Sequence, residues 1–178
     1  DQNYKLDGIN LSYSDVTGCV LRNSSFRNSC FDSARLKGAY ANNCDFLATS
    51  FQYADLKNID LSHSNLCGCD FKNARLNGAN FENSILDYVD FRGAKIQKMI
   101  LKNAVFNNCI IDISQLRDLG LKETRGIGIQ EILDYHIQVY DGKRFLSIHE
   151  IEEKYREINP VSYALWKKDI LWVEDVEI

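Results

Sequence analysis

The sequence predicts a solenoid, a rod of stacked coils, followed by a small α-helical C-terminal cap. Three observations lead there. A residue with a period of five runs from Leu6 to Leu116, 23 positions with no slip, and all but Ala41 are large and apolar. A small residue stands two places before most of these centres, and Gly or Asn two places after many of them. Beyond Leu116 the period fades and apolar residues recur at helical spacing instead.

A period of five fits neither the 3.6 of a helix nor the 2 of a strand. The large centre residue fills a narrow interior. The small residue before it, as in Ser14, Cys19, Ser24, Ala34, Ala74, Ala79 and Cys109, leaves room for that filling. Just before the centre stand short polar residues that face water, such as Asp45, Asp55, Asp60, Asn65 and Asp70. Gly8, Gly18, Asn23, Asn28 and their successors tolerate the turns a chain needs to bend every five residues. A unit repeated so regularly rests on its neighbours, which is the principle of a solenoid.

The segments ADLKN (54–58), CDFKN (69–73), ARLNG (74–78), ANFEN (79–83) and AVFNN (104–108) resemble the pentapeptide-repeat family, with its consensus A(D/N)LXX. The resemblance covers residues 4–121. It implies an all-β solenoid, a right-handed quadrilateral β-helix, with four pentapeptides and hence about 20 residues to a coil. About six coils at a ladder spacing of about 4.8 Å would make a rod roughly 28 Å long. Its expected structural core is Phe26, Phe31, Phe46, Phe51, Phe71, Phe81, Phe91 and Phe106, one stack rather than a pocket. Each buried centre contributes about 1.5–3 kcal/mol before chain entropy is subtracted. Tyr4 and Ile9, large where small residues are usual, read as plugs for the first coil.

Composition narrows the function. Of 178 residues, 45% are hydrophobic and 26% charged, as in ordinary globular chains. There is no apolar run of about 18 residues to span a membrane, and no secretory signal pattern. No Met begins the chain, which reads as a fragment or a processed form. Cys19, Cys44, Cys69 and Cys109 fall in the small interior series, where a thiol acts as an apolar filler. Cys69 and Cys109 share a column but lie two coils, about 10 Å, apart, beyond disulfide reach. Cys30 and Cys67 are expected to point outward, so the CGC at 67–69 should not chelate a metal. Free thiols point to a reducing, cytoplasmic setting. His63, His136 and His149 are scattered, and catalysis needs converging groups. No phosphate or dinucleotide loop is present. The expectation is therefore a protein without catalytic residues, metal or cofactor.

The outer walls are nearly neutral: residues 1–116 carry 12 acidic and 12 basic side chains. The family's gyrase-protecting members mimic DNA, a role that needs acidic stripes. The wall of Asp15, Arg35, Lys37, Asp55, Lys57, Arg75 and Lys95 is mildly basic and reads as solvated, so no direct nucleic-acid binding is expected. Tyr13 and Tyr53 share a turn column, with Tyr40 and Tyr88 on other edges. Tyr is enriched at protein interfaces, which makes Tyr13, Tyr53 and Tyr40 candidate partner contacts. Late in the rod Ile85, Ile100, Val105 and Ile110 turn apolar where Asp and Asn stood before, and the tail is expected to cover them.

Residues 1–121 thus form the repeat domain and 122–178 a helical cap or interaction region. Ile129, Ile132, Leu133 and Ile137 share one helical face, and Gly142 ends that region. Ser147 and Glu150 stand at capping-box spacing, ahead of an apolar face of Ile148, Ile151, Tyr155 and Ile158. Asn159 and Pro160 would open a third helix carrying Leu165, Trp166 and Trp172. The tail carries 13 acidic and 9 basic residues, which argues against a DNA reader. It would cap the open end of the rod, form a homodimer or hold a partner, with Trp166 and Trp172 as candidate contacts. The leading expectation is a non-catalytic protein-protein interaction scaffold with an unidentified protein as its partner. The alternatives are a DNA-mimicking gyrase-protection protein and the targeting domain of a larger bacterial effector.

Overall fold

Residues 20 apart pair in parallel throughout the repeat region of the computed structural model, which describes residues 3–119 and 136–158. Lys5 pairs with Ser25, Ser25 with Asp45, Asp45 with Asn65, and so on to Asp90 with Ile110. The chain is a β-helix solenoid. Each pairing is one residue wide: Ser25 N donates to Tyr4 O at 2.8 Å, and Leu6 N donates to Ser25 O at 2.8 Å.

Strands stay this short because a corner follows every centre. All 21 residues two places after a centre, from Gly8 to Asn108, have φ between 52° and 72°. Gly and Asn enter this left-handed region at little cost. The polar residue before the centre braces the same corner. Asp45 Oδ1 accepts from Leu47 N at 3.1 Å, Asp70 Oδ1 from Lys72 N at 2.9 Å, and Asn80 Oδ1 from Glu82 N at 3.0 Å. These side chains build the turn as well as facing water.

The small series also does more than make room. Seven of its members donate to the carbonyl of a centre 23 residues earlier. Thr49 Oγ1 reaches Phe26 O at 2.6 Å, Ser84 Oγ reaches Leu61 O at 2.7 Å, and Cys109 Sγ reaches Leu86 O at 2.7 Å. Ser29, Cys44, Ser64 and Cys69 do the same for Leu6, Leu21, Ala41 and Phe46. Ile59, Val89 and Met99 occupy the same series and are buried despite their size.

The first coil departs from expectation. Leu6, Ile9, Leu11, Val16 and Leu21 are only partly buried, and Tyr4 is exposed. Ile9 packs against the core at this end, whereas the Tyr4 side chain is exposed. Cys19, expected inside, is exposed, because no described coil lies beneath it.

At the other end the ladder closes. Strand β1 (Ile110–Asp112) is followed by a 3-10 turn (Ile113–Gln115) and helix α1 (Leu116–Leu119). Strand β2 (Gln138–Tyr140) pairs with β1 in parallel, Ile110 opposite Gln138 and Ile111 opposite Val139. The helical spacing of the tail predicts no strand here. His136, with a positive φ, Ile137, buried, Gln138 and Val139, buried, repeat the corner, interior, outward and centre order of the coils. Most of the helix expected over 129–137 lies outside the described residues, as do Trp166 and Trp172. Helix α2 (Ile148–Ile158) follows, with the expected box: Ser147 N donates to Glu150 Oε2 at 2.9 Å and Glu150 N to Ser147 Oγ at 3.4 Å. It buries Ile151 and Tyr155, whereas Ile148 in its first turn stays exposed. Among the described residues no helix is long and apolar enough to cross a membrane.

Candidate interaction surfaces

The interior is filled by rings. Phe31, Phe51, Phe71 and Phe91 form one column, stacked at centroid distances of 5.1, 5.0 and 5.5 Å with planes within 15° of parallel. Phe26, Phe46, Phe81 and Phe106 meet this column edge-on or stacked, and all eight rings are buried.

The thiols divide by depth. Cys44, Cys69 and Cys109 are buried, Cys30 and Cys67 intermediate and Cys19 exposed, all six unpaired. Burial pushes the Cys44 thiol up to about 11 and those of Cys69 and Cys109 higher still. A thiol-reactive dye at pH 8 should modify Cys19 first and Cys30 and Cys67 more slowly. Cys44, Cys69 and Cys109 should react only after denaturant is added. Three further equivalents of label on unfolding, counted by mass spectrometry, are the expected result. Among the described residues no group of three or more His, Cys, Asp or Glu is placed to hold a metal.

The mildly basic wall alternates in sign over its first four rungs and ends with Lys95 across from Arg75. Asp15, Arg35, Asp55 and Arg75 pair in sequence across the coils. Arg35 bonds Asp15, and Arg75 lies 3.6 Å from Asp55. Opposite charges directly across a ladder stabilise it. On the next wall Lys72 bridges Asp70 at 2.7 Å and Asp90 at 3.5 Å, and Arg92 holds Asp90 at 2.7 Å. Burial opposes ionisation of Asp90, but the hydrogen bonds and charge of Arg92 outweigh it and hold the carboxyl below its ordinary range. Among the described residues Lys37, Lys57 and Lys95 hold no ion pair, so the mildly basic wall keeps three free cations.

The aromatics stand out from these walls. Tyr13, Tyr53 and Tyr88 occupy corner positions at φ 60°, 60° and 59°, and are 83%, 62% and 70% exposed. Tyr40 is also exposed, with the Arg22 guanidinium 5.6 Å from its ring centre. Ile85, Ile100 and Val105 remain exposed as well. The described part of the tail, 136–158, does not cover them, because β2 extends the stack at the end of the rod and α2 contacts α1 there. A polar cleft of about 470 Å³ lies at that junction, lined by Lys95, Gln97, Asp112, Gln115, Arg117 and Ile158.

A family model described as pentapeptide repeats matches the chain in 8 copies, over residues 5–40, 29–68 and 64–103. The crystal structure of a pentapeptide repeat protein (Rfr23) from the cyanobacterium Cyanothece 51142 is 23% identical, with a TM-score of 0.57, covering 59% of this chain and 86% of that one. A pentapeptide repeat protein from Nostoc PCC 7120 is 24% identical, with a TM-score of 0.52, covering 62% and 84%. One from the Arabidopsis thaliana thylakoid lumen is 22% identical, with a TM-score of 0.49, covering 70% and 83%. At these identities the likeness is one of fold. A search of curated proteins found no match.

Proposed function

This chain belongs to the pentapeptide-repeat family, and we propose on that premise that it is a non-catalytic scaffold that binds another protein. On this reading it is a right-handed rod of about six coils at the ladder spacing of about 4.8 Å. Its six unpaired thiols suit a reducing cytoplasm.

The observation that carries the proposal is the placement of Tyr13, Tyr53 and Tyr88. A bulky residue in the left-handed region costs roughly 1 kcal/mol that Gly or Asn would largely avoid. Gly and Asn fill most other corners of this chain. Three exposed rings kept at that cost are fitted to an external contact. Tyr brings a large apolar face and a hydroxyl at little entropic cost to an interface.

Replacing all three by Asn tests this. The corner tolerates Asn, so Tyr13→Asn, Tyr53→Asn and Tyr88→Asn together should raise the urea midpoint of unfolding or leave it unchanged. Affinity capture from source-cell lysate, read by mass spectrometry, should then lose the partner held by the unmodified chain. An identical capture by both proteins would remove the Tyr corners from the contact. Capture of gyrase or topoisomerase IV subunits would favour topoisomerase protection instead, despite the balance of charge over the walls.

A further inference from the structure

The walls of the rod do not share charge evenly. The wall that begins at Asp15 carries Asp15, Arg35, Asp55, Arg75 and Lys95 on its ladder, with Lys37 and Lys57 at the corner that follows. Of the 12 acidic and 12 basic side chains of residues 1–116, it takes two acids and five bases. Five less two leaves a strip of net charge +3 on a chain whose net charge is −4.

Two observations set this strip apart from a solvated wall. The first is pairing. On the other walls Arg27 holds Asp45, Lys72 holds Asp70, Arg92 holds Asp90 and Lys102 holds Glu82. Among the described residues Lys37, Lys57 and Lys95 hold no carboxylate, although Asp55 stands on their own wall. The second is order. Asp15, Arg35, Asp55 and Arg75 alternate in sign, and an acidic residue at the next rung would continue the pattern. Lys95 stands there instead, directly across from Arg75. Like charges directly opposite destabilise a ladder. The wall keeps a cation where its own stability favours an acid.

We infer that this wall binds an extended acidic segment of a partner protein, with carboxylates seated on Lys37, Lys57 and Lys95. This rests on the scaffold reading above and names the chemistry of the partner. The spacing fits. From the rung of Arg35, beside Lys37, to that of Lys95 is three ladder spacings, about 14 Å. An extended chain turns every second side chain to one face, so carboxylates at positions i, i+2 and i+4 also span about 14 Å. Arg35, Asp55 and Arg75 already give their backbone N–H and C=O groups to neighbouring coils. The face therefore offers no strand edge, and recognition falls to its side chains. Tyr13 and Tyr53 stand exposed at the corner that opens the wall, placed to pack on apolar parts of the same segment.

Asp15 and Asp55 decide between polyanions. A nucleic-acid backbone carries a charge at every unit and would meet both carboxylates. A peptide can set an uncharged or basic residue against each.

The test is fluorescence anisotropy of labelled probes with the 178-residue chain at low salt. A ten-residue peptide alternating glutamate and threonine should bind, and should bind more weakly as salt screens the contact. Lys37→Glu, Lys57→Glu and Lys95→Glu together should raise its dissociation constant at least about tenfold, since facing like charges are strongly disfavoured. Lys5→Glu, Arg22→Glu and Lys102→Glu together make the same change in net charge on other walls and should raise it far less. Urea midpoints separate loss of binding from loss of fold. Lys95→Glu faces Arg75 with an opposite charge, so the first triple variant should keep its midpoint. Lys37→Gln, Lys57→Gln and Lys95→Gln repeat the comparison without adding a charge and should also weaken binding. No binding at low salt, an equal loss in the two Glu variants, or tighter binding of a ten-nucleotide oligo(dT) would each overturn the inference. Should the lysine variants bind the peptide unchanged while the three Tyr→Asn changes still abolish capture, the wall is excluded and the scaffold reading stands.

Discussion

Phe71→Ala will cost the fold about 3–5 kcal/mol, as a Phe to Ala change does in a well-packed core. The ring lies between Phe51 at 5.0 Å and Phe91 at 5.5 Å, with Phe81 edge-on at 6.0 Å. Truncation removes two stacked contacts and an edge contact, each worth about 0.5–1.5 kcal/mol beyond the area buried. The site cannot collapse to fill the void. The ladder bonds of the coils above and below fix their separation, and each of those coils is closed by its own corners. Phe71→Leu keeps a large apolar centre and should lose less than about 1.5 kcal/mol. Urea unfolding of the two variants checks both values. A loss as small for Ala as for Leu would show that the coils relax into the gap. Each coil rests only on its neighbours. The Ala variant should therefore unfold with a reduced m-value or a second transition if the rod parts at the void, and with an unchanged m-value if it does not.

The second large effect is expected at Gln115. Its Nε2 donates to Phe91 O at 2.7 Å and Ala94 O at 2.9 Å, and its Oε1 accepts from Asp112 N at 2.7 Å. The residue is buried. In earlier coils the carbonyl equivalent to Ala94 O receives a backbone N–H, as Ala74 O does from Lys95 N at 2.8 Å. Gln115 supplies with a side chain what the next coil would have supplied with its backbone. Gln115→Leu preserves bulk but strips these groups of their partner. At about 1–3 kcal/mol for each buried group left unsatisfied, the loss should be roughly 3 kcal/mol. Phe91 O is spared the full cost because Ala94 N also donates to it, at 2.9 Å. Gln115→Glu adds a pH dependence. A carboxylate against two carbonyl oxygens is repelled, so its folded-state pKa rises. Its destabilisation should therefore grow as pH rises through the unfolded Glu value of about 4.3. Denaturation at pH 4 and pH 7 measures it, and equal stability at both would mean that the side chain swings out to water.

Much of this was legible in the sequence, for a physical reason. A period of five with an apolar centre has one consistent solution, and every corner with positive φ follows from it. What escaped was set by distance or by position at an end. Ser84 and Cys109 read as small residues because the carbonyls they serve lie 23 positions away. Cys19 belongs to the same small series as Cys44, Cys69 and Cys109, yet in the first described coil it stands exposed, beside an exposed Tyr4 and a partly buried Ile9. Strand β2 pairs 28 rather than 20 residues beyond Ile110, so the periodic count could not reach it. The tail's apolar spacing located α2 but not Ile148, whose first-turn position hangs off the packed face. Tyr13, Tyr53 and Tyr40 were visible as outward residues. The conformational cost borne at the first two emerges only with the backbone angles.

The donor column has a bearing on how such a chain finds its own alignment. A sequence that repeats every five residues is nearly degenerate: sliding one coil by a single pentapeptide would still place a large apolar centre over another. The four faces, however, are labelled differently. Ser24, Cys44, Ser64 and Ser84 mark one, and Ser29, Thr49, Cys69 and Cys109 the next. Beyond Ser14 in the first coil, Ala34, Ala54, Ala74 and Ala94 leave the third without a hydroxyl or thiol. A five-residue slip would bring methyl groups to carbonyls that expect a donor, and donors to places already served by backbone N–H groups. The interior hydroxyls and thiols thus act as an address, distinguishing one alignment from several that apolar packing alone would leave almost equal in energy.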